Sequence, residues 1–115
     1  MDGGTDSGDP VLSLEKRVLS GFAPGSSELT QELKDRLVDL VSDLGTVVAF
    51  SCVGYTQGPT VLEVDIALSL ARGQVVCDEL KLLFPDAEVR LIVGRQDNPV
   101  GTPIRRTEIY FIIAE

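Results

Sequence analysis

Apolar residues first recur at helical spacing between Thr30 and Gly45. They are three or four residues apart, as on one face of an amphipathic helix: Leu33, Leu37, Leu40, Val41 and Leu44. Thr30 has the side chain of an N-cap, and Glu32 adds a negative charge to the first turn, where the helix dipole favours it. The pattern predicts a helix that ends at Gly45 with a left-handed C-cap.

A second, longer helix is predicted after Gly58 and Pro59. The segment Thr60 to Glu63 has the form of a capping box, so we expect the helix to begin near Val61 and to run to about Phe84, before Pro85. Its predicted apolar face consists of Leu62, Ile66, Leu70, Gly73, Val76, Cys77, Leu80 and Phe84.

Four segments have the composition and alternation of strands. They are Val18 to Phe22, Thr46 to Gly54, Ala87 to Gly94 and Arg106 to Ala114. The second is apolar at both parities, which favours a central strand, with Val48, Phe50 and Cys52 on one face and Val47, Ala49, Ser51 and Val53 on the other. In the third, Val89, Leu91 and Val93 alternate with Glu88, Arg90 and Ile92; in the fourth, Ile109, Phe111 and Ile113 alternate with Glu108, Tyr110 and Ile112.

The element order is β-α-β-α-β-β. It predicts an α+β fold, a two-layer sandwich with both helices on one face of a four-stranded mixed sheet. A chain of 115 residues holds one such domain, over residues 11–115. Residues 1–10 are polar and rich in aspartate and glycine, so we expect a flexible tail or linker there.

Composition reduces the classes of function that are open to the chain. The chain is 43% hydrophobic, carries a net charge of −8 and contains no histidine. The negative charge argues against nucleic acid or anionic lipid as a partner. Without histidine or a CxxC pair, we expect no metal site, no cofactor and no catalytic residue. No apolar run reaches the roughly 18 residues of a membrane span, and no signal peptide is recognisable; the start of the chain resembles that of an expressed fragment.

Four short motifs occur in the order that a known family has them. They are Phe22 with Ser26 to Thr30, Gly54 to Gln57, Leu68-Ser69 with Arg72-Gly73, and Arg105 to Glu108. In this the chain resembles the OmpA-like domains, which tether bacterial envelope proteins to peptidoglycan by binding its diaminopimelate stem peptide. The family patterns are Gly-His-Thr-Asp, Tyr-Asn, Leu-Ser-x-x-Arg-Ala and Asn-Arg-Arg-Val-Glu.

The resemblance implies a binding site and also shows where this chain departs from it. In the family, the arginine and the aspartate hold the carboxylate and the ammonium of diaminopimelate. Arg72 matches the arginine, but Gln57 replaces the aspartate, Asp65 the asparagine of Tyr-Asn, Val64 the tyrosine, and Ile104 the asparagine before the two arginines. The ligand-binding residues that it implies are Arg72, Gln57, Asp65, Thr56, Tyr55, Gly58, Ser69 and Arg105.

The residue types allow a zwitterionic ligand but leave alternatives open. Asp65, Ser69 and Arg72 recur at i, i+4 and i+7, so an acid, a hydroxyl and a guanidinium share one helical stripe. Gln57 accepts a hydrogen bond from an ammonium without neutralising it. Arg72 could instead pair with Asp65 or bind the loop. Arg105 and Arg106 should point to opposite faces of their strand, one towards the site and one towards solvent.

The two cysteines, Cys52 and Cys77, are predicted on the facing sides of a strand and a helix. They are either two buried thiols or a disulfide that closes a loop of about 25 residues, which would stabilise the fold by roughly 3 kcal/mol. A disulfide suits the extracytoplasmic, envelope location that the resemblance implies. The expected function is peptidoglycan or muropeptide association as one domain of a larger envelope protein, with the monomer favoured. The alternative is an OmpA-like module that has lost the ligand and acts in structure or protein interaction.

Overall fold

The computed structural model describes residues 11–56, 63–96 and 105–114. These contain six elements in the predicted order: β1 (Leu12–Ser20), α1 (Gln31–Val41), β2 (Thr46–Tyr55), α2 (Glu63–Leu83), β3 (Glu88–Arg95) and β4 (Arg106–Ala114). The predicted tail and residues 97–104 lie outside this description. No helix within it has the length and apolarity needed to cross a bilayer.

The strands form one mixed sheet in the order β1-β4-β2-β3. β4 pairs antiparallel with both β1 and β2, and β2 pairs in parallel with β3. The predicted α+β sandwich is therefore confirmed, and so is the central position of β2. Parallel pairing of β2 with β3 requires a crossover, which α2 supplies.

The hydrophobic core lies between the sheet and the two helices. α1 contributes Leu33, Leu37 and Val41, and α2 contributes Val76, Cys77 and Leu80. From the sheet come Leu19, Val47, Phe50, Cys52, Ile109, Phe111 and Ile113. The rings of Phe50 and Phe84 both lie 6.2 Å from that of Phe111, in tilted and edge-on contact.

Two irregularities change which strand residues face this core. Pairing with β4 shifts register between Val47 and Ala49, and pairing with β3 shifts between Phe50 and Ser51, opposite Val89 and Leu91. Each bulge inserts one residue and reverses the alternation. The predicted faces are therefore wrong at two places: Val48 and Leu91 are exposed by 37% and 53%, while Val47 and Ile92 pack on the core.

The ends of two elements also differ from the prediction. β1 begins at Leu12 rather than Val18 and pairs with β4 along its whole length, and Phe22 is buried beyond its end. The Thr30 cap of α1 is confirmed, since its Oγ1 accepts a hydrogen bond from the Leu33 amide at 3.2 Å. The predicted glycine cap is wrong: the helix ends at Val41 with Ser42 in the right-handed conformation, and Gly45 has no positive φ.

The predicted apolar face of α2 holds only in its second half. Val76, Cys77 and Leu80 are buried, but Ile66 and Leu70 are 45% and 44% exposed, and Ser69 and Arg72 are buried instead. The reason is close packing: a Cβ on Gly54 would lie 1.9 Å from the Ser69 carbonyl oxygen, and one on Gly94 would lie 2.2 Å from the Ser69 hydroxyl. Thr60 of the predicted capping box and Leu62 lie outside the described residues.

Cys52 and Cys77 form a disulfide that joins β2 to α2, with their Cα atoms 6.0 Å apart. Both residues are almost fully buried in the core. The bond therefore ties the central strand directly to the helix that carries the predicted site.

Candidate functional site

A cavity of about 170 Å³ lies where the loop after β1, the end of β2, the first half of α2 and the start of β4 meet. Its lining combines three charged side chains with a threonine and three small or apolar residues: Pro24, Gly25, Thr56, Asp65, Leu68, Arg72 and Arg105. Complete small-molecule sites begin at roughly 300 Å³. The cavity is therefore sized for one end group of a larger ligand.

Arg72 is 1% exposed and is held by three backbone carbonyls from two segments. Its Nε donates to Ser26 at 2.8 Å, one terminal nitrogen donates to Tyr55 at 3.0 Å, and the other donates to Ala23 at 3.1 Å. A guanidinium has five N–H donors, so two remain after these bonds. The Phe22 ring completes the setting, with its centroid 5.5 Å from the Arg72 Cζ.

The charge of Arg72 is oriented by these contacts without being neutralised. In the described part of the chain, no ion pair joins Arg72 to a carboxylate, Asp65 included. Burial lowers the Arg72 pKa, and the positive charge of Arg105 lowers it further. Both effects disfavour the charged guanidinium, and a bound anion would oppose both.

Three of the other predicted residues line the same cavity. Arg105 is half-buried, and its Nε donates to the Phe22 carbonyl at 2.9 Å. Thr56 is 2% exposed, and its amide donates to the Arg95 carbonyl at 3.2 Å. Its hydroxyl donates to the Asp65 carbonyl at 3.4 Å, which joins the end of β2 to the first turn of α2.

Of the remaining predicted residues, the two that the structure describes, Tyr55 and Ser69, do not line the cavity. Ser69 is fully buried against the sheet and donates to the Ile66 carbonyl at 2.8 Å, so the expected acid-hydroxyl-guanidinium stripe is interrupted. Tyr55 contacts Arg72 through its carbonyl oxygen, whereas its ring bonds to Glu108 on the opposite face of the sheet. Gln57 and Gly58 lie outside the described residues.

A group of five side chains, here called the Glu108 cluster, occupies that opposite face: Lys16, Tyr55, Arg106, Glu108 and Tyr110. Arg106 donates from Nε to Glu108 at 2.9 Å, and its Cζ lies 3.6 Å from the Tyr55 ring centroid. Both tyrosine hydroxyls donate to Glu108 Oε1, Tyr55 at 3.3 Å and Tyr110 at 2.7 Å. The Lys16 ammonium lies 3.6 Å from the same oxygen.

The Glu108 cluster buries Arg106, against expectation, and shifts the pKa values of Glu108 and Tyr110. Arg106, expected on a solvated face, is only 2% exposed. Burial opposes ionisation of Glu108, but hydrogen bonds from Tyr110 and Arg106 and the charges of Arg106 and Lys16 outweigh it, so its pKa is lowered. Burial and the bond to Glu108 raise the pKa of Tyr110 to about 12.

The alternative in which Arg72 binds the loop is what the structure shows, but sequence reasoning did not name the accepting carbonyls and missed the cluster. Backbone oxygens have no signature in a sequence, so the first could not be found from side chains. The second had a signal: Arg106 and Glu108 are opposite charges two residues apart on a strand, which places them on one face. Among the described residues, no group of three or more Cys, Asp or Glu side chains is arranged to hold a metal ion.

Comparison with known proteins identifies the fold. No family model and no curated protein sequence matches the chain. Among solved structures, it is similar to the OmpA-like domain of FopA1 from Francisella tularensis subsp. tularensis SCHU S4, with a TM-score of 0.59 and 24% identity over 96% of this chain and 79% of that one. It is also similar to the periplasmic domain of Helicobacter pylori MotB, with a TM-score of 0.57 and 19% identity over 96% of this chain and 80% of that one.

A second structure of the MotB periplasmic domain gives the same result, with a TM-score of 0.56 and 17% identity over 91% of this chain and 88% of that one. These identities are low, but the likeness extends over nearly the whole chain. The resemblance that the four motifs carried is thereby confirmed at the level of the fold: this chain has the fold of an OmpA-like domain.

Proposed function

We propose that this chain is a non-catalytic domain of the bacterial cell envelope that associates with peptidoglycan by binding the diaminopimelate of its stem peptide. One observation carries the proposal: Arg72, buried and charged, shares a cavity with Arg105, and no described carboxylate forms an ion pair with Arg72. The OmpA-like fold supports it, as does the origin of the MotB structures in a periplasmic domain.

The ligand group that fits the two arginines is a carboxylate. It would offset the burial and the repulsion that together lower the Arg72 pKa. A carboxylate can accept from the two remaining N–H donors of Arg72, and Arg105 adds a second positive charge to the lining of the same cavity. A hydrogen bond to a charged group contributes about 1.5–3 kcal/mol, so the carboxylate is the main anchor of the ligand in this proposal.

The ammonium of the same ligand is assigned to Asp65, which lines the cavity with Arg72. Gln57 and Gly58 remain proposed contacts through hydrogen bonds. Tyr55 and Ser69 are proposed to act through the carbonyl bond to Arg72 and through the packing of α2. In this arrangement Asp65 supplies the negative charge that Gln57 does not have.

Location and assembly follow from the same reasoning. The Cys52–Cys77 disulfide suits an oxidising compartment outside the cytoplasm. The domain is proposed to act as a monomeric module of a larger envelope protein. No catalytic residue is assigned, because histidine, the commonest general base, is absent from the sequence.

The proposal is tested by titrating the isotopically labelled domain with a diaminopimelate-containing muropeptide. We expect the NMR signals of the Thr56 and Arg72 amides and of the Arg105 side chain to move together with one affinity. Arg105→Gln should weaken binding about tenfold or more, because a charge-assisted contact is lost. Arg90→Gln, which removes an exposed arginine on β3, is the matched control and should bind as the wild type does. Unmoved signals at millimolar ligand would refute the proposal.

One observation favours a second candidate, a structural or protein-interaction module without the ligand. The three carbonyl bonds of Arg72 already fasten the loop after β1 and the end of β2 to α2, which is a sufficient structural role. Gln57→Asp separates the two candidates because it restores the acid of the family motif. Binding by the wild type favours the first candidate, and binding that appears only in the variant favours the second.

A further inference from the structure

Tyr55 links the Glu108 cluster on one face of the sheet to the cavity on the other. Its ring belongs to the cluster, while its carbonyl oxygen accepts the 3.0 Å hydrogen bond from Arg72. We infer that Glu108 and Arg106 are positioning residues: by fixing the Tyr55 ring, they fix the direction of the Tyr55 carbonyl and thereby the orientation of the Arg72 guanidinium. The consequence for ligand affinity rests on the proposed function.

The Tyr55 ring is held at two points. The Arg106 guanidinium lies over its face, 3.6 Å from the centroid, and the Glu108 carboxylate accepts from its hydroxyl at 3.3 Å. Glu108 also fixes Arg106 through the 2.9 Å bond to Nε. All three residues are less than 10% exposed, with values of 7%, 2% and 7% for Tyr55, Arg106 and Glu108. The ring therefore has little freedom to rotate.

The backbone at this point is held from two sides. Tyr55 is the last residue of β2, so regular pairing ends there. After it, the Thr56 amide donates to the Arg95 carbonyl at 3.2 Å. The Thr56 amide shares its peptide plane with the Tyr55 carbonyl, so this bond restrains the plane from the backbone, and the side chain of Tyr55 adds a second restraint from the other face of the sheet.

The division of charge between the two faces fits a binding role for Arg72. Glu108 forms its ion pairs with Arg106 and Lys16, on the side of the sheet away from the cavity. Among the described residues, Arg72 donates hydrogen bonds only to neutral carbonyl oxygens. The acid therefore contributes to the orientation of Arg72 without forming an ion pair with it, and the guanidinium keeps its charge for a ligand.

Two tyrosines that contact the same carboxylate oxygen provide a matched test. Tyr55→Leu removes the ring of the residue whose backbone contacts Arg72. Tyr110→Leu removes a ring with a shorter bond to Glu108, 2.7 Å, and in the described part of the chain Tyr110 forms no hydrogen bond with Arg72. The first readout, taken without ligand, is the NMR shift and the solvent exchange of the Arg72 Nε–H. The second readout is the affinity for the muropeptide.

We expect Tyr55→Leu to shift the Arg72 Nε–H signal, to speed its exchange at least tenfold and to weaken muropeptide binding about fivefold or more. Tyr110→Leu should leave both readouts as in the wild type, and Tyr55→Phe, which keeps the stack on Arg106, should retain most of the wild-type behaviour. Equal effects of the two leucine variants on Arg72, or no effect of Tyr55→Leu, would overturn the inference. If Tyr55→Leu does not fold, the same two readouts are compared for Glu108→Gln, as the test variant, and Tyr110→Phe, as the control. If the wild type binds no muropeptide, only the proposed function is refuted. The Arg72 Nε–H signal, measured without ligand, still tests whether the cluster positions Arg72.

Discussion

At the scale of single residues, the fold holds the Arg72 guanidinium in one orientation without compensating its positive charge. The three carbonyls around Arg72 accept from three of its five N–H groups and leave two for a ligand. They carry no full charge, so the cation keeps its attraction for an anion. Glu108 is the opposite case, since Arg106 and Lys16 compensate its charge within the fold.

Tyr110 gives a prediction at this scale. Its pKa is raised from 10.0 to about 12, so the fold favours the neutral phenol. Its contribution to stability is fully present below pH 10 and is lost as the pH rises through about 12. The chain has two tyrosines, so the difference between the ultraviolet titrations of the wild type and Tyr110→Phe isolates Tyr110. We expect its midpoint near 12; a midpoint near 10 in protein that circular dichroism shows to be folded would contradict the account.

The residue types of the site were predictable from the sequence, but their partners were not. The motif placed Arg72, Arg105, Thr56 and Asp65 together, and all four line one cavity. Ser69 was placed there by the motif and by helical spacing, and neither says which side of the stripe packs on the sheet. Arg72 depends on loop carbonyls, which any residue could supply.

At the scale of elements, the contact of α2 with the sheet determines the shape of the site. Glycines at positions 54, 73 and 94 remove side chains from the interface and let the helix backbone approach β2 and β3. This approach buries Ser69 and brings Arg72 over the end of β2. It also turns Ile66 and Leu70 outward, against their hydrophobicity.

Gly54→Ala tests this packing. The added Cβ would meet the Ser69 carbonyl oxygen at 1.9 Å, so α2 would have to move away from β2. We expect the free energy of unfolding, measured with urea, to fall by about 3 kcal/mol or more, at or beyond the upper end of overpacking effects. Gly45→Ala is the control, since its Cβ would lie 3.4 Å from Ile113 in ordinary contact; its stability should stay within about 1 kcal/mol of the wild type. Equal losses in both variants would argue against the close approach.

The elements themselves were largely predictable, and the errors have definite causes. Six periodic segments were assigned the right type and order, because burial on one face imposes a period on each. The bulges near Val48 and Arg90 reversed the alternation within β2 and β3. A bulge depends on how two strands are paired, and neither strand's own pattern contains that information.

At the scale of the whole molecule, one covalent bond and one sheet hold the site together. The cavity is lined from four parts of the chain, which the sheet and α2 bring into contact. The Cys52–Cys77 bond joins the central strand to the middle of α2. Sequence alone left free thiols and a disulfide open, because the choice depends on the distance between two Cα atoms.

Reduction of this bond should destabilise the domain. A disulfide across a separation of 25 residues restricts the unfolded chain and is expected to contribute about 3 kcal/mol. Urea unfolding with and without reductant should therefore show a lower midpoint in reductant. A variant with both cysteines changed to alanine is the control and should not respond to reductant. Two thiols titrated in the unfolded, unreduced protein would contradict the pairing.

The most direct test of the central claim compares two muropeptides that differ in one carboxylate. Diaminopimelate is lysine with a second carboxylate at the end of its side chain, and this is the group assigned to Arg72 and Arg105. Calorimetric titration should show binding of the diaminopimelate form and at least tenfold weaker binding of the lysine form, since a charge-assisted contact is missing. Equal affinity for the two forms, or no binding of either, would contradict the claim.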